Sequence, residues 1–157
     1  MKCIIIFYSY GGNTKRAAEF IANELKADIV EITTVKPYTG SYDSVVDQGK
    51  REVDRGYMPQ IKPVDVDMSQ YDTVILGTPV WWYTFAPAMK TFLHECDLSG
   101  KKVYPFATNG GWIGHTLQDF NGACKGAEVY PGLNIRFHDD QQLTSESDVR
   151  KWLERIR

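Results

Sequence analysis

The segment Cys3-Ile-Ile-Ile-Phe-Tyr8 is an unbroken apolar run rich in β-branched and aromatic residues, and it opens directly onto Ser9-Tyr-Gly-Gly-Asn13. A strand alternating apolar and polar residues can face water on one side. A strand this uniformly apolar has to be covered on both, as in a parallel sheet with helices on its two faces. Asn13 is placed to cap the helix that follows, whose apolar positions Ala17, Ala18, Ile21, Ala22 and Leu25 recur at the 3.6-residue period. Strand, tight loop and helix in immediate succession form a β–α unit.

The unit repeats along the chain. Asp28 to Thr33 reads as strand two, Thr73 to Thr78 as strand three and Val103 to Thr108 as strand four, although Pro105 lacks a ladder donor and argues for an edge or a bulge. Phe85, Met89, Phe92, Leu93 and Cys96 make one apolar stripe on the helix begun by Pro87. Ile113 to Ala123 reads as the next helix, and Ala127 to Phe137 as a fifth strand broken at Pro131-Gly132. Val149, Trp152, Leu153 and Ile156 mark a closing helix, with Ser145 and Asp148 spaced as a capping box. Residues 34–70 form a long second crossover in which Tyr42, Val45, Val46 and Val53 suggest a weak helix, followed by an extended stretch from Ile61 to Asp67. Strands alternating with helices point to an α/β fold with a doubly wound five-stranded parallel sheet, residues 1–157 forming a single domain.

Composition removes several function classes. With 43% hydrophobic and 24% charged residues the 157-residue chain is ordinary for a globular domain, and a net charge of −2 with mixed signs offers no basic face for nucleic acid. The N-terminal apolar run is too short for a signal peptide or a membrane span, so a cytoplasmic protein is expected. Cys3, Cys96 and Cys124 form no CxxC pair, and read as buried reduced thiols rather than a disulfide or metal framework. His94, His115 and His138 are isolated in sequence and give no metal-ligand spacing.

In open α/β sheets ligands bind outside the carboxyl ends of the strands, and three loops there are chemically distinctive. Ser9, Tyr10, Gly11, Gly12, Asn13 and Thr14 join hydroxyls and amides to close-approach glycines at a helix start, an anion pocket. Taken alone such a stretch is often just a turn with a cap. The Walker pattern and GxGxxG are both missing, which disfavours nucleoside triphosphates and dinucleotides. Thr78, Pro79, Val80, Trp81, Trp82 and Tyr83 set consecutive aromatics beyond strand three, suited to a flat ligand or, more plainly, to packing. In the third loop, Thr108-Asn-Gly-Gly-Trp112, Thr108, Asn109, Gly110 and Gly111 again combine glycines with polar groups able to bond a heterocycle edge. A phosphate cradle, an aromatic wall and a polar glycine loop on one rim describe FMN.

With these motifs in view, Ser9 to Thr14 resembles the phosphate loop of flavodoxins, and Gly77 to Tyr83 and Phe106 to Gly111 resemble the flavin-flanking loops of a short-chain subgroup. The resemblance spans nearly the whole chain and implies strand order 2-1-3-4-5. It implies that Ser9 to Thr14 hold the phosphate, that Trp81 or Trp82 lies against the ring with Pro79 and Val80 beneath it and Tyr83 at its rim, and that Thr108 to Gly111 meet its polar edge. Many flavodoxins carry a glycine in the second loop whose peptide flips on flavin reduction; Val80-Trp-Trp-Tyr83 has none. The implied function is a monomeric electron carrier between flavoprotein or iron–sulfur partners, with no catalytic side chain and no metal. The alternative on the same fold is an FMN-dependent NAD(P)H:quinone-type oxidoreductase. A phosphoacceptor domain would need acidic residues where Tyr8-Ser9 and Thr78-Pro79 stand.

Overall fold

Ile4, Ile5 and Ile6 are fully buried although their side chains alternate between the two faces of the sheet, and this is the structural content of the apolar run. Ile4, Ile6 and Tyr8 pack into one core cluster, Ile5 and Phe7 into another on the opposite face. The computed structural model describes residues 2–157. Its elements in chain order are β1 (Cys3–Tyr8), α1 (Asn13–Leu25), β2 (Asp28–Ile32), α2 (Tyr42–Asp54), β3 (Thr73–Trp81), β4 (Thr84–Phe85), α3 (Pro87–Glu95), β5 (Lys102–Asn109), α4 (Thr116–Ala123), β6 (Glu128–Val129), β7 (Leu133–His138), β8 (Gln141–Gln142) and α5 (Glu146–Glu154).

β1 pairs in parallel with both β2 and β3, β3 with β5, and β5 with β7. The backbone of the sheet therefore runs β2-β1-β3-β5-β7, the expected order once the short strands are set aside. The chain leaves β1 toward β2 and returns to β3 on the other side, so the switch point lies at the carboxyl ends of β1 and β3. One core cluster holds α1 and α5 residues (Ala18, Ile21, Trp152, Leu153) and the other those of α3 and α4 (Met89, Phe92, Phe120). Ser145 caps α5 by accepting from the Asp148 N–H at 3.1 Å, as the capping box predicts. Among the described residues no helix is long and apolar enough to cross a membrane.

Three local expectations are corrected and one is borne out. Strand three does not end at Thr78 but continues to Trp81 and turns back into β4, pairing Val80 with Phe85 and Trp81 with Thr84. The fifth strand is broken around Pro131-Gly132, as expected, into β6 and β7, both parallel to β5. Pro105 thereby sits in an interior strand: β6 pairs Lys102 and Val103, β7 pairs Phe106 to Asn109, and the ladder gap falls opposite the proline that cannot donate. α4 begins at Thr116 rather than Ile113. The stretch from Ile61 to Asp67 contributes one bridge, Thr34 to Ile61.

Candidate functional site

Asn13 does not cap α1. The N-cap is Gly12, at φ 100°, preceded by Gly11 at φ 84°. Both conformations are ones that L side chains avoid. A β-carbon at either position would meet no heavy atom within 4 Å, so backbone conformation, not crowding, selects glycine and the approach to the helix start is open. The first turn carries no acidic residue, which leaves the positive end of the helix dipole uncompensated. Ser9 Oγ accepts from the Lys15 N–H at 3.2 Å, and its own O–H stays available as a donor.

The cations nearby point elsewhere. Lys15 Nζ lies 3.5 Å from Glu31, and Arg16 donates to Asn13 Oδ1 and to the Asp140 carbonyl. Asn13 itself donates to the Asp139 carbonyl at 2.7 Å, tying the cradle to the turn between β7 and β8. Thr14 and Thr108 share a buried hydroxyl pair at 2.7 Å beneath the loops. The pocket is thus a backbone cradle at a helix N-terminus, suited to a phosphate.

The second predicted loop is a β-hairpin. Thr78 is buried; its hydroxyl donates to the Pro79 carbonyl and accepts from the Ala86 N–H, stapling the hairpin's base. Trp82 and Tyr83 at its tip have φ of 50° and 73°, the pattern of a type I′ turn, which normally takes Asn-Gly. Trp81 is enclosed edge-on by Tyr8, Tyr10 and Tyr38, the last at 4.9 Å between centroids. Trp82 Nε1 donates to the Val46 carbonyl of α2 at 3.0 Å. Between the hairpin, the first loop and α2 lies a cavity of about 260 Å³ walled by Tyr10, Tyr42, Val46, Val80, Trp81 and Trp82. That volume suits one ring system rather than a dinucleotide, since sites for drug-sized ligands span roughly 300–1,000 Å³. Behind it, burial and then the hydrogen bond to Glu52 push the Tyr38 phenol well above its ordinary range, so it remains a donor.

In the third loop Asn109 holds the turn, accepting from the Gly111 N–H at 2.9 Å and donating to Asn134. Gly111 is at φ 137° and Gly110 approaches the Phe137 carbonyl. The following Trp112 is 77% exposed and meets Tyr83 edge-on at 6.3 Å.

All three loops leave the carboxyl ends of β1, β3 and β5, and they meet through Tyr10 with Trp81 and Tyr83 with Trp112, while the hydroxyls of Thr14, Thr78 and Thr108 bond within the framework. Sequence reasoning missed α2 as a wall, whose signal was the apolar pair Val45-Val46, and gave no ring-facing role to Trp112, which ends the third loop and is 77% exposed. It also missed His115, which meets Asp119 one helical turn on. Among the described residues no cluster of three or more His, Cys, Asp or Glu could hold a metal.

A family model described as a flavodoxin matches residues 2–156. A flavoprotein from Lactobacillus acidophilus NCFM, solved in complex with FMN, is 26% identical over 96% of this chain and 97% of its own, with a TM-score of 0.78. A protein of Bacteroides eggerthii DSM 20697 described as a flavoprotein is 28% identical over 99% and 97%, with a TM-score of 0.84. Among curated proteins, the FMN reductase (NADPH) of Escherichia coli (strain K12) is 34% identical over 94 residues. That match covers 54% of this chain and 47% of the reductase, so this chain aligns with about half of its relative's length.

Proposed function

The chain belongs to the flavodoxin family, and from that premise we propose that it holds one FMN on the rim described above and passes electrons between redox partner proteins. The carrying observation is the Gly11-Gly12 cradle at the uncapped start of α1, set beside an aromatic hairpin of the right size for a single ring system. We assign the phosphate to Ser9 and the backbone from Gly11 to Thr14. The hairpin from Pro79 to Tyr83 and the loop from Asn109 to Gly111 would flank the ring, with Tyr10 and Trp112 at its margin. Residues 1–157 would act as one domain, a monomer, in the cytoplasm.

When bound, FMN supplies the redox chemistry, and the protein supplies orientation, electrostatics and exclusion of water. The cradle would neutralise phosphate charge through N–H groups and the helix dipole without a side-chain cation. Trp81 packs close to Gly49 of α2 and Trp82 donates to the Val46 carbonyl of the same helix, so they would form the inner wall. Tyr83, 47% exposed, and Trp112 are the outer aromatic groups. A ring held between these groups would need only one exposed edge for electron transfer.

A second reading is favoured by one observation, the likeness to an FMN reductase that uses NADPH. Hydride transfer requires a nicotinamide stacked about 3–3.5 Å from the ring, and Tyr83 with Trp112 would have to part to admit it. Anaerobic stopped-flow absorbance separates the readings. A carrier is reduced slowly or not at all by NADH or NADPH alone and rapidly once a flavoprotein or iron–sulfur donor is added. Saturable bleaching by NAD(P)H at many turnovers per second, with matching quinone reduction, would establish the reductase.

A further inference from the structure

We propose that Asp119 is a positioning residue that locks the Trp82-Tyr83 turn to the Gly110–His115 loop, so that both loops present one preset surface to the cofactor. The inference rests on the FMN reading above. Its starting point is the turn: two bulky residues hold left-handed backbone where glycine or asparagine is usual. Such conformations persist only where the surroundings over-determine them. One carboxylate oxygen supplies the constraint. Asp119 Oδ2 accepts from Thr84 Oγ1, directly after the turn, and also meets His115 Nδ1, at the end of the other loop.

Two backbone features complete the lock. The His115 N–H donates to the Tyr83 carbonyl at 2.9 Å. Gly114, at φ 58°, lies so close to the turn that a β-carbon there would fall 2.4 Å from Tyr83 Cβ. α4 is a firm anchor for this bridge: Phe120 and Thr116 are fully buried, and Phe120 packs on Phe85 of β4 at 5.0 Å. Asp119 is one-third exposed and His115 more than half, so the pair sits at the rim rather than inside the core. Asp119 also lies in the first turn of α4, where an acidic residue favours the helix dipole in any case.

The substitutions separate the lock from that dipole role. Asp119→Asn keeps an oxygen where both donors converge but removes the charge; Asp119→Ala removes both; Thr84→Val breaks the hairpin's own bond and leaves α4 intact. We expect Asp119→Ala to weaken FMN binding roughly tenfold, the scale of one lost hydrogen bond to a charged group. Asp119→Asn should retain most of the affinity, and Thr84→Val should fall between. Amide exchange in the apoprotein should accelerate in residues 82–84 and 110–115 together for Asp119→Ala and Thr84→Val. Wild-type affinity and exchange in both those variants would overturn the proposal, as would Asp119→Asn behaving like Asp119→Ala. If the wild-type protein failed to bind FMN, the cofactor reading would fall while apoprotein exchange still decided the lock.

Discussion

Gly12→Ala and Gly122→Ala add the same methyl group to positions where a β-carbon meets nothing within 4 Å, yet they should move stability in opposite directions. Gly12 sits at φ 100°. A non-glycine residue held there costs about 1–3 kcal/mol, against about 0.4–1 kcal/mol gained by restricting the unfolded chain. The net is a loss of up to about 2.6 kcal/mol, about 1.3 kcal/mol at mid-range. Gly122 is an exposed helical position in α4 without positive φ, where alanine gains about 0.5–1 kcal/mol. At about 2–4 °C per kcal/mol for a chain of this length, Tm should fall by about 3–5 °C at mid-range for Gly12→Ala and rise by about 1–4 °C for Gly122→Ala. Circular dichroism melts of the apoprotein measure both. Shifts of the same sign would refute the assignment of Gly12 to a strained, functional backbone. With FMN present the gap should widen, because the added methyl group also stands in the phosphate cradle.

Further outcomes follow from single contacts. Tyr38→Phe strips the buried Glu52 carboxylate of a donor at 2.6 Å and leaves it Gln48; a loss of about 1.5–3 kcal/mol should appear in urea unfolding, and unchanged stability would contradict the burial argument. Trp82→Phe keeps a ring but loses the bond to the Val46 carbonyl of α2; stability should fall by about 0.5–1.5 kcal/mol and FMN fluorescence quenching should weaken, and unchanged quenching would mean the indole was not part of the wall. Burial pushes the Cys124 thiol up to about 11, and burial followed by the charges of Asp72 and Asp28 pushes Cys3 up to about 12. Only about one Cys124 in ten thousand is thiolate at pH 7, so native labelling by iodoacetamide, followed by mass spectrometry, should be far slower than after unfolding. Free-thiol rates at Cys124 would refute its burial.

Features written in local pattern were legible in the sequence. The run from Cys3 to Tyr8 announced a strand covered on both faces, the period of Ala17 to Leu25 announced α1, and Ser145 with Asp148 announced the start of α5. The positions of the three loops, after β1, β3 and β5, were legible too, because glycines and turn residues follow each apolar run. What escaped reading depended on partners distant in sequence. Nothing in Trp82-Tyr83 signals a hairpin tip, since the turn is held by α4 rather than by its own residues. Pro105 warned of an edge strand, but the gap between β6 and β7 removes the need for its missing donor. Asn13 had the chemistry of a cap, yet Gly12 takes that place and the amide reaches Asp139 instead. The His115–Asp119 spacing fits a helical pair, but its bond to Thr84 is visible only once the hairpin is folded over α4.

Titrating the apoprotein with FMN and with riboflavin, which differ by the phosphate alone, tests the account most directly. Backbone N–H groups at the start of α1 are assigned to that phosphate, so flavin fluorescence should be quenched with one-to-one stoichiometry by FMN and at least about tenfold more weakly by riboflavin, the scale of losing one charge-assisted hydrogen bond. Equal affinity for the two flavins, or no binding of FMN, would contradict the central claim that this rim is a phosphate-anchored flavin site.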